Sequence, residues 1–301
     1  MAPPTMETWL LLAVFAQFLF AISVLIDKHI VARAAHIGKP IVYAFYVALL
    51  SGFVLVFIPF GVALPHLYTT ILSVLYATAF LGAIYFLYSA LKIARASDVA
   101  PVVGGVSAIA TLALAAAWID GDVTHAFVFP VLLLAGGTAI ISHFHFSRCA
   151  VFFTIAAGIC FGLAVFFSKL VFLQTTFIDG FFWTRMFTAL AALSLLLSPA
   201  LRRTIFSGGK SSSRGAKMLV VGNKMLGSSA SILTAFAISL GSVAVVNALA
   251  GLQFVFLFLF AILFARHIPF FSEERTGDNG GWHTAFGVTL IVAGLATLYL
   301  A

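Results

Sequence analysis

The chain is a succession of long apolar runs broken by short polar gaps. Ten runs, roughly 9–27, 40–60, 68–91, 97–118, 126–143, 150–173, 177–198, 217–240, 243–265 and 282–300, reach or approach the length of about 20 mostly apolar residues that carries an α-helix across a bilayer. Lipid offers the backbone no hydrogen-bond partner, so each run predicts a helix that satisfies its own amides. The apolar stretch of the first run, Leu10 to Ile26, is longer than a signal-peptide core and is followed by Asp27-Lys28-His29, which predicts a retained helix. Two gaps are longer than the rest. Residues 202–217 read as a flexible basic loop, and 266–281, with Glu273, Glu274, Arg275 and Asp278, as a second polar loop.

The runs repeat. Phe20-Ala-Ile-Ser-Val-Leu-Ile-Asp-Lys28 matches Phe161-Gly-Leu-Ala-Val-Phe-Phe-Ser-Lys169, Pro59 matches Pro199, and Ala96-Ser97 matches Gly241-Ser242. The halves are then 1–148 and 149–301, with five runs each. An odd number of spans turns the second half upside down, so the expected architecture is all-α, with ten transmembrane helices in two inverted five-helix repeats. The alternative is chance likeness between apolar segments of low complexity.

Composition narrows the classes. Of 301 residues, 63% are hydrophobic and only 8% charged, and the mean hydropathy is +1.17. A soluble domain carries about 25% charged residues to keep its surface wet, so a soluble enzyme, a nucleic-acid binder and a disordered chain are excluded. The net charge of +7 does not change this, because the basic residues sit in gaps between apolar runs. Thirteen of the sixteen follow odd-numbered runs, whereas the opposite gaps hold Glu7, Asp120, Asp122 and Asp179. Read by the positive-inside rule, the basic side is cytoplasmic and both termini are outside, in a multi-pass protein of the plasma (inner) membrane. Cys149 and Cys160 make no disulfide framework. His143-Phe-His145 lacks a third ligand, and Lys210-Ser-Ser-Ser lacks phosphate-loop spacing, so no metal or cofactor is expected.

Together with the two five-run halves, Tyr88-Ser-Ala-Leu-Lys-Ile-Ala-Arg-Ala-Ser-Asp-Val-Ala-Pro101 and Ala237-Ile-Ser-Leu-Gly-Ser-Val-Ala-Val-Val-Asn-Ala-Leu-Ala-Gly-Leu-Gln253 resemble EamA-type members of the drug/metabolite transporter superfamily. Ile26-Asp-Lys28 at the end of the first run and the Pro269 to Glu274 stretch before the last are similar too. The resemblance spans nearly the whole chain. It implies a ten-helix carrier in which helices one to four and six to nine surround a central cavity, with helices five and ten at the periphery. Two features depart from the family's habit. The fourth-to-fifth gap has Asp120 and Asp122 where a glutamate is common, and the charge pattern puts the termini outside.

Ionisable groups within spans are expensive and therefore functional candidates. Outside the basic gaps stand Lys169, Arg185 and Lys224, three cations that suit a cavity for an anionic or amino-acid-like solute. Snorkelling to the interface, or pairing with carbonyls and lipid phosphates, is the competing reading. Asp27 is the candidate coupling carboxylate, against a plain interfacial pair with Lys28. Gln17, Asn223, Asn247 and Gln253 add uncharged polar groups for substrate binding or helix contact. Tyr43, Tyr85, Tyr88 and Trp183 offer a ring with a polar tip, for a cavity or an interfacial belt. Pro101 with Gly104-Gly105 predicts a kink or break in the fourth helix. Gly136-Gly137, Gly287 and Gly294 suit close helix contact, within the chain or in a homodimer. The reading that joins these features is a secondary carrier of small metabolites working by alternating access, with the bilayer and a small solute as partners. An intramembrane lipid-modifying enzyme and a non-transporting scaffold are the rivals.

Overall fold

A computed structural model describes residues 6–33, 40–94, 96–141, 147–206, 214–264 and 280–300, and these are helical apart from short connections. The helices are α1 (Met6–Arg33), α2 (Pro40–Leu50, continuing as a 3-10 helix over Ser51–Phe60), α3 (Leu67–Leu91), α4 (Ala96–Trp118) and α5 (His125–Ile140). They continue with α6 (Arg148–Gln174), α7 (Phe177–Ser194, with a 3-10 turn Leu195–Leu197), α8 (Pro199–Phe206), α9 (Arg214–Leu240), α10 (Val243–Ala248, with a 3-10 turn Leu249–Gly251), α11 (Leu252–Phe264) and α12 (Gly280–Leu300).

The described part of each of the ten apolar runs is thus largely helical, and seven of the described helical segments are long and apolar enough to cross a membrane. The other three are set apart by length or polarity. α5 has 16 residues, about 24 Å at 1.5 Å per residue, short of a hydrocarbon core of about 30 Å. The described apolar part of α12 is Thr284–Leu300, and α9 begins with polar residues that include Asn223, Lys224, Ser228 and Ser229. Large apolar side chains point outward along the long helices, among them Val151, Phe152, Ile155 and Ile159 of α6, while Thr154, Ser168 and Lys169 of the same helix are buried. That distribution is the reverse of a water-soluble helix and suits a surface solvated by lipid. This is a membrane-embedded chain.

Two expectations need correction. The expected loop 202–217 is helical at both ends, within α8 and the start of α9. Pro101 lies inside α4, which runs on past it without a break although the ring removes the bond to the Ser97 carbonyl. The 3-10 segments lie elsewhere, over Ser51–Phe60, Leu195–Leu197 and Leu249–Gly251. The loop expected over 266–281 and His143-Phe-His145 lie mostly or wholly outside the described residues.

The helices group into two compact units, and each contains parts of both sequence halves. The first is 1–35, 95–145 and 212–301; the second is 36–94 and 146–211. In the first unit α1 packs along α9, α4 along α5 and α10, and α5 along α12. The α5–α12 seam is built on glycine. A Cβ on Gly137 would meet the Gly287 carbonyl oxygen at 2.8 Å, and one on Gly294 would meet Leu134 at 3.0 Å. The expected small-residue contact is therefore made within the chain by these three, and Gly136 has open space around its Cα hydrogen. In the second unit α3 packs along α6 and α7, and α2 along α7. The foot of α2, Phe45 and Ala48, joins Ala192 and Ile205 in a small apolar cluster that seats α8.

Candidate functional site

Two of the three intramembrane cations, Lys169 of α6 and Arg185 of α7, belong to the second unit. On α3, Ser73, Tyr76 and Phe80 lie at spacings of three and four and so share a face. α6 runs antiparallel along α3, with Gly82 against Cys160 Sγ, 3.7 Å from where a Cβ would be, and Phe80 edge-on to Phe161 at 6.1 Å. Nine residues back from Gly82 is Ser73, and nine on from Cys160 is Lys169, so the two stand at one level along the pair, each half a helical turn around its helix from the Gly82–Cys160 contact. Lys169 is 7% exposed. A lysine snorkelling to the interface would leave its head in water or among headgroups, which that burial does not fit.

Arg185 of α7 reaches the same face one turn further along. Its Cζ lies 5.7 Å from the centroids of both Tyr76 and Phe80 and 5.2 Å from that of Phe181. Tyr76 and Phe80 are stacked, and Phe181 is held edge-on by Phe57. Guanidinium stacking uses the flat faces and fixes the plane in which the five N–H donors point. The register of α7 is set by its N-terminus, where Thr176 Oγ1 accepts from the Asp179 amide and donates to Asp179 Oδ2 at 2.7 Å.

In the first unit α1 and α9 are antiparallel too. A Cβ on Gly227 would lie 3.3 Å from Ser23 Oγ, and one on Gly241 would strike the Trp9 ring. Four residues back from Gly227 is Asn223, and four on from Ser23 is Asp27. Asn223 is 2% exposed, and neither its Nδ2 nor its Oδ1 has a hydrogen-bond partner among the described residues. Such an amide forgoes about 1–3 kcal/mol per unmet group.

The remaining candidates disperse. Asn247 Nδ2 donates to Ser107 Oγ at 3.0 Å and Thr111 Oγ1 at 2.7 Å, tying α10 to α4. Trp183 Nε1 donates to the Ala63 carbonyl at 2.8 Å, in the connection before α3. Tyr85 is exposed and Tyr88 half-buried, Lys224 is exposed, Gln17 is buried in α1, and Gln253 is half-buried in α11. The side chains of Asp27 and Tyr43 lie outside the described residues. Sequence reasoning passed over Ser73, Tyr76, Phe80 and Phe181. The signal was present in the helical spacing of the first three, but only the packing of α3 shows that the face meets Arg185. It also passed over Asp98, buried in the first turn of α4, where the helix dipole favours an acid.

No family model matches the chain, and no curated protein matches its sequence. The chain is similar in fold to a protein of known crystal structure, with a TM-score of 0.69 over 98% of both chains at 17% identity. At that identity the likeness is one of fold alone.

Proposed function

We propose that the chain is a secondary carrier of the EamA type, with ten spans in two inverted five-helix repeats, moving a small anionic or amino-acid-like solute by alternating access. The observation that carries this reading is the helix pairing. Number the runs one to five and six to ten, and exchange the halves. The α1–α9 pair of the first unit then becomes the α6–α3 pair of the second, while α2–α7, α4–α10 and α5–α12 each map onto themselves. A self-mapped pair is parallel if the two-fold axis stands along the membrane normal and antiparallel if it lies in the membrane plane. Along α5 and α12 the contacts run Gly137 with Gly287 and Leu134 with Gly294, which is antiparallel. The pattern therefore favours inverted halves, the arrangement from which alternating access follows.

The solute class rests on Lys169 of α6 and Arg185 of α7, two cations within the apolar helices of the second unit. The test is solute counterflow in proteoliposomes loaded with amino acids, dicarboxylates or phosphate esters. Saturable exchange of an anionic or zwitterionic solute supports the reading. Exchange of cations alone refutes the solute class, and the absence of exchange across the whole panel refutes the carrier.

A further inference from the structure

The charge of the second unit does not balance. Over 36–94 and 146–211 the sequence holds eight lysines and arginines and one acid, Asp179. That acid is engaged at the start of α7, where it accepts the Ala63 amide and the Thr176 hydroxyl. The other end of α7, 18 residues on, is about 27 Å away at 1.5 Å per residue. There the apolar span Phe177–Leu197 stops, and α8 follows it after Ser198. Arg202 and Arg203 of α8 are both exposed, and their own unit has no carboxylate at that end.

The apolar side of α8 fixes how these arginines stand. Ile205 is 2% exposed in the cluster with Phe45, Ala48 and Ala192, and Leu201, one turn back, packs on the same cluster. Measured round the helix from Ile205 at 100° per residue, Arg202, Phe206 and Arg203 follow at about 60°, 100° and 160°. The three therefore share the side turned away from the cluster. Phe206 is 63% exposed on it, and Leu197, just before α8, is 85% exposed. Two guanidiniums flanking a bare phenyl ring suit neither water nor hydrocarbon. At the edge of a bilayer the ring meets acyl chains and the guanidiniums meet phosphates. Because α6 is antiparallel to α3 and turns back into α7 over 175–176, the end of α3 and the start of α6 lie at this same end, and Lys92 and Arg148 are exposed there.

We infer that the Arg202, Arg203 and Phe206 side of α8 docks on the headgroups of anionic phospholipid, so that the bilayer supplies the negative charge that the second unit lacks. The planar guanidinium matches a phosphate oxygen pair with two parallel N–H donors, and a net negative headgroup adds attraction that a zwitterionic one does not. Lys92 and Arg148 enlarge the positive field at that end. The inference stands apart from the carrier reading and holds whether or not the chain transports a solute.

The test is thermal unfolding of the purified full chain in detergent, titrated with phosphatidylglycerol or with phosphatidylcholine. It compares the wild type, Arg202→Gln/Arg203→Gln, and the charge-keeping Arg202→Lys/Arg203→Lys. Both side chains are exposed, so the variants should fold. Phosphatidylglycerol should stabilise the wild type saturably, phosphatidylcholine should do little, and added salt should weaken the effect. The glutamine pair should need about thirtyfold more phosphatidylglycerol for half-saturation, and the lysine pair only a few-fold more. If the glutamine pair does not fold, each single variant decides, with a loss of about fivefold. A glutamine pair that responds to phosphatidylglycerol as the wild type does overturns the proposal, as does equal stabilisation by the two lipids. Inorganic phosphate that stabilises the wild type and not the glutamine pair, with no lipid effect, makes this a soluble-anion site and overturns the lipid assignment.

Discussion

Asp122, in the connection between α4 and α5, accepts the backbone N–H of Val243 on both carboxylate oxygens, at 3.1 and 3.2 Å. The same carboxylate takes the Ser242 hydroxyl at 3.0 Å, and Ser242 in turn caps Val245. One buried acid therefore closes the N-terminus of α10, where the helix dipole and unpaired amides favour negative charge. Asp122→Ala leaves those donors unmet and should destabilise the chain by about 2 kcal/mol, more than Ser242→Ala, as a lowered melting temperature in detergent.

The second unit has a comparable stitch. Asp179 Oδ1 accepts the Ala63 amide at 2.8 Å while Trp183 Nε1 donates to the Ala63 carbonyl. Both stitches join connections that the charge pattern assigns to the non-basic face. Trp183→Phe keeps the ring and removes the donor, so hydrogen exchange should rise around residues 61–66 with little change elsewhere. Uniform protection in that variant would show that the indole bond holds nothing.

Arg185 is held by three rings, and lysine cannot reproduce flat stacking. Arg185→Lys should destabilise the chain by about 1 kcal/mol, read as a lowered melting temperature, even though charge is kept. An unchanged melt would mean that charge alone matters there.

The two asparagines should respond with opposite signs. Asn247→Leu breaks the bonds to Ser107 and Thr111 and should cost about 1–2 kcal/mol. Asn223→Leu removes an unmet buried amide and should raise the melting temperature. A fall in both would show that Asn223 finds a partner in the folded protein.

At the α5–α12 seam, Gly287→Leu places side-chain atoms where the Gly137 carbonyl oxygen already lies, 2.7 Å from the position of the first carbon. Backbone cannot yield as a flexible side chain does, so folded yield should drop sharply on size exclusion.

Much of the fold was legible because a bilayer demands it. A run such as 150–173 has no stable option in lipid except a helix, and α6 covers it. Gly137, Gly287 and Gly294 signalled close contact, and they make it. The short helix α8 was hidden because its two arginines read as loop, although Ile205 is buried. The site was legible only by its charges. Lys169 and Arg185 stood out as costly, whereas Ser73 is an ordinary serine until the packing of α3 leaves it buried without a hydrogen-bond partner among the described residues. Trp183 and Asn247 looked like ligand contacts because sequence lists polar groups but not what satisfies them.

The inverted duplication is the central claim, and side-specific labelling tests it most directly. Leu64, after the second run, and Arg203, after the seventh, occupy equivalent connections, and both are exposed. Each would be replaced singly by cysteine in a Cys149→Ser, Cys160→Ala background and treated in intact cells with a membrane-impermeant maleimide. Inverted halves require that the reagent reach one position and not the other, and the charge pattern selects Leu64. Labelling of both from the same side would contradict the inversion and, with it, the carrier reading built on it.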